Sequence, residues 1–142
     1  MKTKWMIPIV VLGLFYVSCG PASFKFSGIY SVSDSWTSSK TDIGTGNLEY
    51  DLTIVPDGND GVILMNVNKT LNRVKAKVKG DELIVEKQVA VSSSGKAYAV
   101  LGQTGKLSDN KLVLKFSYSD TEYANGIGEI TCEITGTKAS FK

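Results

Sequence analysis

The sequence predicts an all-β protein that folds as a single antiparallel, up-and-down barrel of eight strands. Three observations support this prediction. Polar and apolar residues alternate in eight segments after residue 25, none of these segments has the period of an amphipathic helix, and turn-forming residues separate them at fairly even spacing. Because the links between neighbouring segments are short, sequential strands should pair as antiparallel hairpins.

The predicted strands cover residues 26–36, 47–55, 62–68, 73–79, 82–91, 96–107, 111–118 and 127–135. The third strand is apolar on both faces, and we assign Ile63, Met65 and Val67 to its inner face. The sixth contains Gly102 and Gly105, which indicate a bulge or a bend, because glycine inside a strand often marks such a position.

Residues 73–88, RVKAKVKGDELIVEKQ, form the clearest hairpin in the chain. A two-residue loop at Gly80 and Asp81 is typical of tight β-hairpins. It predicts charged cross-strand pairs on one face and dry pairs on the other, namely Lys79 with Glu82, Lys75 with Glu86, Val78 with Leu83 and Ala76 with Val85. The Lys-Glu pairs indicate a solvated outer face rather than a basic binding surface.

Eight strands in a meander can close into a barrel. Closure pairs the last strand with the first and removes the two unpaired edges that an open sheet would expose. The alternative is a β-sandwich with Greek-key connections, which needs a long crossover between strands. The only loop that could begin to supply one lies at residues 38–46, so the sequence favours the barrel.

The amino terminus has the pattern of an export signal. Lys2 and Lys4 precede an apolar run at residues 5–17, which is too short to span a bilayer comfortably. The run ends at Ser18-Cys19-Gly20, which resembles a bacterial lipobox with Tyr16 where leucine is usual. We therefore expect a signal peptide at residues 1–18, a lipidated Cys19 followed by a short tether at residues 19–25, and a barrel domain at residues 26–142.

This resemblance to bacterial lipoproteins implies a cellular address. Cys19 would carry acyl groups such as palmitate and attach the protein to a membrane. Gly20 stands where aspartate favours retention at the inner membrane, so the resemblance implies the bacterial outer membrane. No acidic cluster follows Cys19, which favours the periplasmic face of the envelope.

The composition excludes several functions. Removal of Lys2 and Lys4 with the leader leaves fourteen basic against fourteen acidic side chains, so no nucleic-acid partner is implied. The absence of histidine excludes serine and cysteine hydrolase triads and histidine metal clusters. The segment that begins at Asp57 has Asn68 where a calcium loop needs glutamate. We expect a non-catalytic protein with no metal and no cofactor.

The first strand carries a family resemblance. Lys25-Phe26-Ser27-Gly28-Ile29-Tyr30 resembles the G-x-W block of lipocalins, with Tyr30 in place of tryptophan. The resemblance implies an eight-stranded meander barrel in which this aromatic side chain plugs the closed end and Gly28 gives it room. The chain is similar to short bacterial lipoproteins that contain such a domain.

The inner faces of the predicted strands contain polar and aromatic positions that could line a ligand cavity. They are Tyr30, Asp34, Trp36, Tyr50, Lys87, Gln103, Phe116 and Tyr118. In the alternative interpretation the aromatic residues fill a packed core, and a bulge or the barrel rim brings the polar residues to water. Cys132 alternates in register with Ile130 and Ile134 on the last predicted strand. As a small buried apolar residue it needs no reactive role.

These observations support two functional hypotheses. The first is an envelope lipoprotein whose barrel binds a small apolar or amphipathic molecule. The second is a protein-interaction or inhibitor module that uses its loops or outer face, for which Val62 and Leu64 at outward positions would be the support. The sequence leaves the oligomeric state open.

Overall fold

The computed structural model describes residues 21–120 and 126–140. This part of the chain contains one short helix and eleven strands, and the strands form a single antiparallel sheet. The elements are α1 (Ala22–Phe26), β1 (Gly28–Ser38), β2 (Thr45–Asp57), β3 (Gly61–Met65), β4 (Leu71–Asn72), β5 (Val74–Lys79), β6 (Glu82–Val85), β7 (Gln88–Ser92), β8 (Ala97–Val100), β9 (Gln103–Ser108), β10 (Lys111–Asp120) and β11 (Glu129–Lys138). The expected signal peptide and Cys19 lie outside the described residues.

Eight of the strands form a closed antiparallel barrel. Its order is β1, β2, β3, β5, β6, β9, β10 and β11, and it closes because β11 pairs with both β10 and β1. Cys132 of β11 lies opposite Trp36 on one side and Phe116 on the other. The predicted all-β, eight-stranded barrel is confirmed, and it is consistent with a lipocalin-like fold. The sandwich alternative is wrong, because pairing between the last and first strands closes the sheet.

The other three strands lie outside this ring, each next to a barrel strand in the chain. Arg73 separates β4 from β5, residues 86–87 separate β6 from β7, and residues 101–102 separate β8 from β9. The predicted fifth strand is divided into β6 and β7, and the predicted sixth strand into β8 and β9. Together they form one long hairpin that bends at residues 86–87 and 101–102. Beyond the bend, β7 pairs with β8 and β4, while β8 also pairs with the end of β10.

The bend coincides with a β-bulge at Gly102. Residues 101–104 oppose only residues 115–117 between the flanking pairs Val100–Tyr118 and Gly105–Leu114. Gly102 has a φ of 83°, which favours glycine, and a Cβ there would lie 3.2 Å from the backbone oxygen of Val85. The predicted bulge in the sixth strand is therefore confirmed.

The hairpin at residues 73–88 has most of its predicted register. The pairs Ala76–Val85, Val78–Leu83 and Lys79–Glu82 form as predicted. The Lys75–Glu86 pair does not, because β6 ends at Val85. The Glu86 carboxylate instead accepts a 3.0 Å hydrogen bond from Lys77, and the Gln88 side chain hydrogen-bonds the backbone of Lys75.

The predicted inward facing of the third strand is wrong for Ile63 and Met65, whereas Val67 is buried as predicted. Val62 and Leu64 are fully buried, whereas Ile63 and Met65 are half-buried. The turn after Asp57 brings Gly61 opposite that residue, and the resulting register places Leu64 beside the inward-facing Ile54. A register set by turn length decides which alternate residues face the core, and a strand that is apolar on both faces does not reveal this choice.

Helix α1 and β1 fill one end of the barrel. Phe26 and Tyr30 are fully buried there, and the Tyr30 hydroxyl donates a 2.8 Å hydrogen bond to the backbone oxygen of Phe26. Ser23 of the helix donates a 2.8 Å hydrogen bond to the backbone oxygen of Gly58. Residues 22–25, expected as tether, thus pack against the barrel as helix. No helix in the described residues is long and apolar enough to cross a membrane.

Candidate ligand-binding cleft

Residues 66–70 form a tight turn between β3 and β4, which we call the inward turn. Val67 and Leu71 exchange two backbone hydrogen bonds of 2.9 Å across it. Asn66, Asn68 and Lys69 have φ values of 67°, 52° and 54°, in the left-handed region that asparagine adopts more readily than most residues. This conformation buries the side chains of Val67 and Asn68. The turn therefore reaches into the barrel.

Asn68 joins three strands through hydrogen bonds. Its Nδ2 donates to Asp34 Oδ2 over 2.8 Å, and its Oδ1 accepts from the Tyr118 hydroxyl over 2.7 Å. Its backbone N–H donates to the Tyr50 hydroxyl over 2.8 Å, and that hydroxyl donates to Asp34 Oδ2 over 3.0 Å. We call Asp34, Tyr50, Asn68 and Tyr118 the polar cluster. It holds the inward turn against β1, β2 and β10.

The hydrogen bonds of the polar cluster point in one direction. In its ionised form the carboxylate of Asp34 only accepts, so the amide nitrogen of Asn68 faces it and the amide oxygen faces Tyr118. Tyr118 then donates to Asn68, and both Asn68 and Tyr50 donate to Asp34 Oδ2. Asp34 is fully buried, and its Oδ1 has no hydrogen-bond partner of normal geometry. The cluster therefore ends on an incompletely satisfied carboxylate.

Burial dominates the ionisation of the cluster. It raises the pKa of Asp34 above the ordinary value, an effect that contacts with Asn68, Tyr50 and the Cys132 thiol only partly offset. Burial and then the charge of Asp34 raise the pKa of Tyr50, and burial is also the main reason that the pKa of Tyr118 is raised. Both phenols therefore remain protonated at neutral pH, as their roles as donors require.

Cys132 is a buried free thiol beside the cluster. Burial raises the pKa of this thiol, and the neighbouring Asp34 raises it further. A thiol with these properties is a poor nucleophile at neutral pH because little thiolate forms. Its packing role agrees with the sequence analysis.

A cleft of about 270 Å³ lies against the polar cluster, at the end of the barrel opposite Tyr30. Asn68, Thr70 and Tyr118 supply its polar surface. Its apolar and aromatic walls are formed by Trp36, Ile43, Leu48, Tyr98, Ile127 and Ile130. Apolar walls with a few fixed polar groups are typical of small-molecule sites.

In comparisons with known proteins, the chain matches no protein-family model, no curated protein and no solved structure. The interpretation of function therefore rests on the geometry of the cleft and its polar cluster.

The structure brings together half of the residues predicted to line a cavity. Trp36 and Tyr118 line the cleft, while Asp34 and Tyr50 lie in the polar cluster with Asn68. They come from β1, β2 and β10, and the closed barrel places these strands around one interior.

The other predicted lining residues lie elsewhere. Tyr30 fills the opposite end of the barrel, and Phe116 is fully buried, with its ring centroid 6.0 Å from that of Tyr118. Lys87 is exposed at the bend after β6, and Gln103 is half-buried at the start of β9. The bulge at Gly102 and the bend in the hairpin account for the positions of these two polar residues.

Sequence analysis missed Asn68 and Thr70 as site residues. Asn68 lies at the end of the predicted third strand and Thr70 in the link that follows it. The informative signal is Asn66 and Asn68 in alternate positions, since asparagine tolerates positive φ. Ile43, Leu48, Tyr98, Ile127 and Ile130 were also missed. No local pattern distinguishes them from ordinary core or loop residues.

A larger and shallower groove of about 730 Å³ crosses the outer face of β2, β1, β11 and β10. Its floor consists of small side chains such as Ser31, Ser33 and Thr135, with Glu49 and Lys111 on its sides. Tyr50 is the one member of the polar cluster among its lining residues, whereas both Asn68 and Tyr118 line the cleft. No group of three or more acidic, cysteine or histidine side chains suited to a metal occurs in residues 21–120 and 126–140. The cleft is therefore the stronger candidate.

Proposed function

We propose that the protein is a non-catalytic binding protein whose cleft holds a small amphipathic molecule. The observation that carries this proposal is the cleft itself, in which apolar walls enclose polar groups held by a buried hydrogen-bond network. Its volume of about 270 Å³ suits a molecule at the small end of the ligand range. The apolar part would contact Leu48 and Ile130, and the polar part would meet Tyr118 and Asn68.

The proposed absence of catalysis follows from the available chemistry. The chain has no histidine, and Cys132 is buried with a raised pKa. Asp34 is enclosed by Tyr50 and Asn68, which occupy its Oδ2. The polar cluster therefore suits a rigid recognition surface better than proton transfer to a substrate.

Occupancy of the cleft can be tested by native mass spectrometry of the protein purified from a crude lysate. We expect a retained adduct of small-molecule mass. Leu48→Trp would fill the cleft and should remove the adduct, whereas Val113→Trp on an exposed outer position should retain it. An apo mass for the unaltered protein, or an adduct that survives in Leu48→Trp, would count against the cleft.

We further propose that the protein is a lipocalin-like lipoprotein of the bacterial envelope, anchored through Cys19 to the periplasmic face of the outer membrane. The support is the apolar run at residues 5–17 followed by Ser18-Cys19-Gly20. Cys19→Ser should move the protein from the membrane fraction to the soluble fraction. Unchanged membrane association would contradict lipid anchoring at this residue.

A second candidate function is interaction with an envelope protein through the outer face. Val62 and Leu64 give no support to it, because both are buried. The observation in its favour is strand β7, where Val89 and Val91 are 68% and 44% exposed. Val89→Lys should abolish crosslinking to a partner protein in intact envelopes, whereas Val113→Lys should leave this crosslinking unchanged. Retention of the partner by Val89→Lys would contradict this role of β7.

A further inference from the structure

The hydroxyl groups of Tyr118 and Thr70 in the cleft both donate their protons to hydrogen bonds within the protein. Tyr118 donates to Asn68 Oδ1 over 2.7 Å, and Thr70 donates to the backbone oxygen of Asn68 over 3.1 Å. The Thr70 hydroxyl also lies next to the Tyr118 oxygen, where it can use one of the two acceptor positions of Tyr118. A hydroxyl has one proton and two acceptor lone pairs. Once these protons are directed inward, the oxygens of Tyr118 and Thr70 can offer the cleft only acceptors. A ligand that satisfies them must bring hydrogen-bond donors.

The carboxyl group of Asp34 is buried behind the same surface. Asp34 contacts Asn68 directly and is fully buried, and its Oδ1 has no hydrogen-bond partner of normal geometry. None of the described residues that line the cleft is lysine or arginine. Burial raises the pKa of Asp34, and the hydrogen bonds that its Oδ2 accepts from Asn68 and Tyr50 favour the ionised form. The charge of a buried, ionised carboxylate is screened less than that of an exposed one, so its field extends into the cleft. This field favours a cationic head group and opposes an anionic one.

Aromatic rings add to the same preference. Trp36, Tyr98 and Tyr118 line the cleft, and the rings of Tyr98 and Tyr118 meet edge to face with their centroids 5.6 Å apart. The faces of such rings attract cations. The ammonium of Lys96 already lies 5.6 Å from the centroid of Tyr98, and its charge is offset by an ion pair with Asp120.

We propose that the cleft selects small amphipathic molecules whose head group is a cationic hydrogen-bond donor, such as an arylalkyl- or alkylammonium, over molecules with a neutral or anionic head. This inference rests on the proposed binding function. Tyr118 and Thr70 accept the hydrogen bonds of the head group, Asp34 supplies the charge behind them, and Ile130 and Leu48 contact the apolar body. Asp34 does not contact the ligand. It lies behind Asn68, to which it is hydrogen-bonded, and acts on the cleft through its charge.

Three probes of similar size test this selectivity: 2-phenylethylammonium, 2-phenylethanol and phenylacetate. Each is titrated into the full chain at pH 7, and the indole N–H resonance of Trp36 reports on occupancy of the cleft. We expect 2-phenylethylammonium to bind at least tenfold more tightly than phenylacetate, with the alcohol between them. Equal or tighter binding of phenylacetate would overturn the charge selectivity. If none of the three shifts the Trp36 resonance, binding in the cleft is itself contradicted.

Variants separate the contribution of charge from that of shape. Asp34→Asn should reduce the preference for the ammonium over the alcohol to less than threefold, whereas Asp51→Asn, on the exposed outer face of β2, should leave it unchanged. Tyr118→Phe removes an acceptor and should weaken the ammonium and the alcohol alike. Should Asp34→Asn not fold, the comparison of probes on the unaltered chain decides the question. An unchanged preference in a folded Asp34→Asn variant would overturn the role of Asp34.

Discussion

Asn68 is the residue on which the interior depends most. Its side chain satisfies Asp34 on β1 and Tyr118 on β10, and its backbone N–H satisfies Tyr50 on β2. A buried polar group that loses its partner destabilises the fold. Removal of the contacts of Asn68 would therefore leave Asp34, Tyr50 and Tyr118 each with one hydrogen-bond partner fewer. The residue thus couples the conformation of the inward turn to the hydrogen bonding of the barrel interior.

Asn68→Gly is expected to lower the free energy of unfolding by about 2–5 kcal/mol, because Asp34 and Tyr118 each lose a buried partner. Glycine adopts the positive φ of this position without strain, so the loss reports on hydrogen bonding. Urea unfolding measures it. The matched control is Asn66→Gly. Asn66 also has a positive φ, but its side chain donates an exposed hydrogen bond to the backbone oxygen of Asp51. Equal losses in the two variants would contradict a special role for Asn68.

The raised pKa of Asp34 predicts a pH dependence of stability with a definite sign. Because the folded state holds the proton more tightly than the unfolded state does, protonation of Asp34 stabilises the fold. This contribution is complete below the ordinary aspartate value of 3.8 and is lost as the pH rises through the folded pKa. The stability of the unaltered protein relative to Asp34→Asn should therefore rise on acidification from neutral pH. Urea unfolding across this range measures it, and a difference that falls on acidification would contradict the assignment.

Among the elements, the long hairpin of β6 to β9 determines the shape of the barrel beside the cleft. Its inner half, β6 and β9, stays in the ring, and its outer half, β7 and β8, leaves it at the bend. The outer half carries Tyr98, which lines the cleft and contacts the ring of Tyr118. The bend at Gly102 thus positions one wall of the proposed site.

Gly102→Ala is expected to destabilise the protein by about 1–3 kcal/mol, through positive-φ strain and a close approach to the Val85 carbonyl. Gly95→Ala is the matched control. Gly95 has a φ of 84°, but a Cβ there would meet no atom within 4 Å. It should show the strain alone and therefore the smaller loss in thermal or urea unfolding. A Gly102→Ala variant as stable as Gly95→Ala would contradict close packing at the bend.

For the whole molecule, the sequence predicted the features that repeat along the chain. Alternation marked the strands, and closure of the barrel followed from short connections and the need to avoid free edges. The facing of Ile63 and Met65 was predicted wrongly because it depends on the register after Asp57. Helix α1 was missed, since five residues are too few for a helical period to show.

The candidate site was only partly predictable. Asp34, Trp36, Tyr50 and Tyr118 were identified because each stands at an inward position of a strand with regular alternation. Asn68 was not, because its role arises from an inward fold of the turn at residues 66–70 that places it between strands distant in sequence. Contacts of this kind depend on three-dimensional closure and leave no period in the sequence.

The cleft beside the polar cluster is proposed to bind a small amphipathic molecule. Intermolecular nuclear Overhauser effects between 2-phenylethylammonium and the full chain test it most directly. We predict cross-peaks from the probe's ring protons to the methyl groups of Leu48 and Ile130, which line the cleft. Cross-peaks confined to Val113 and Thr135, in the outer groove, would contradict the claim.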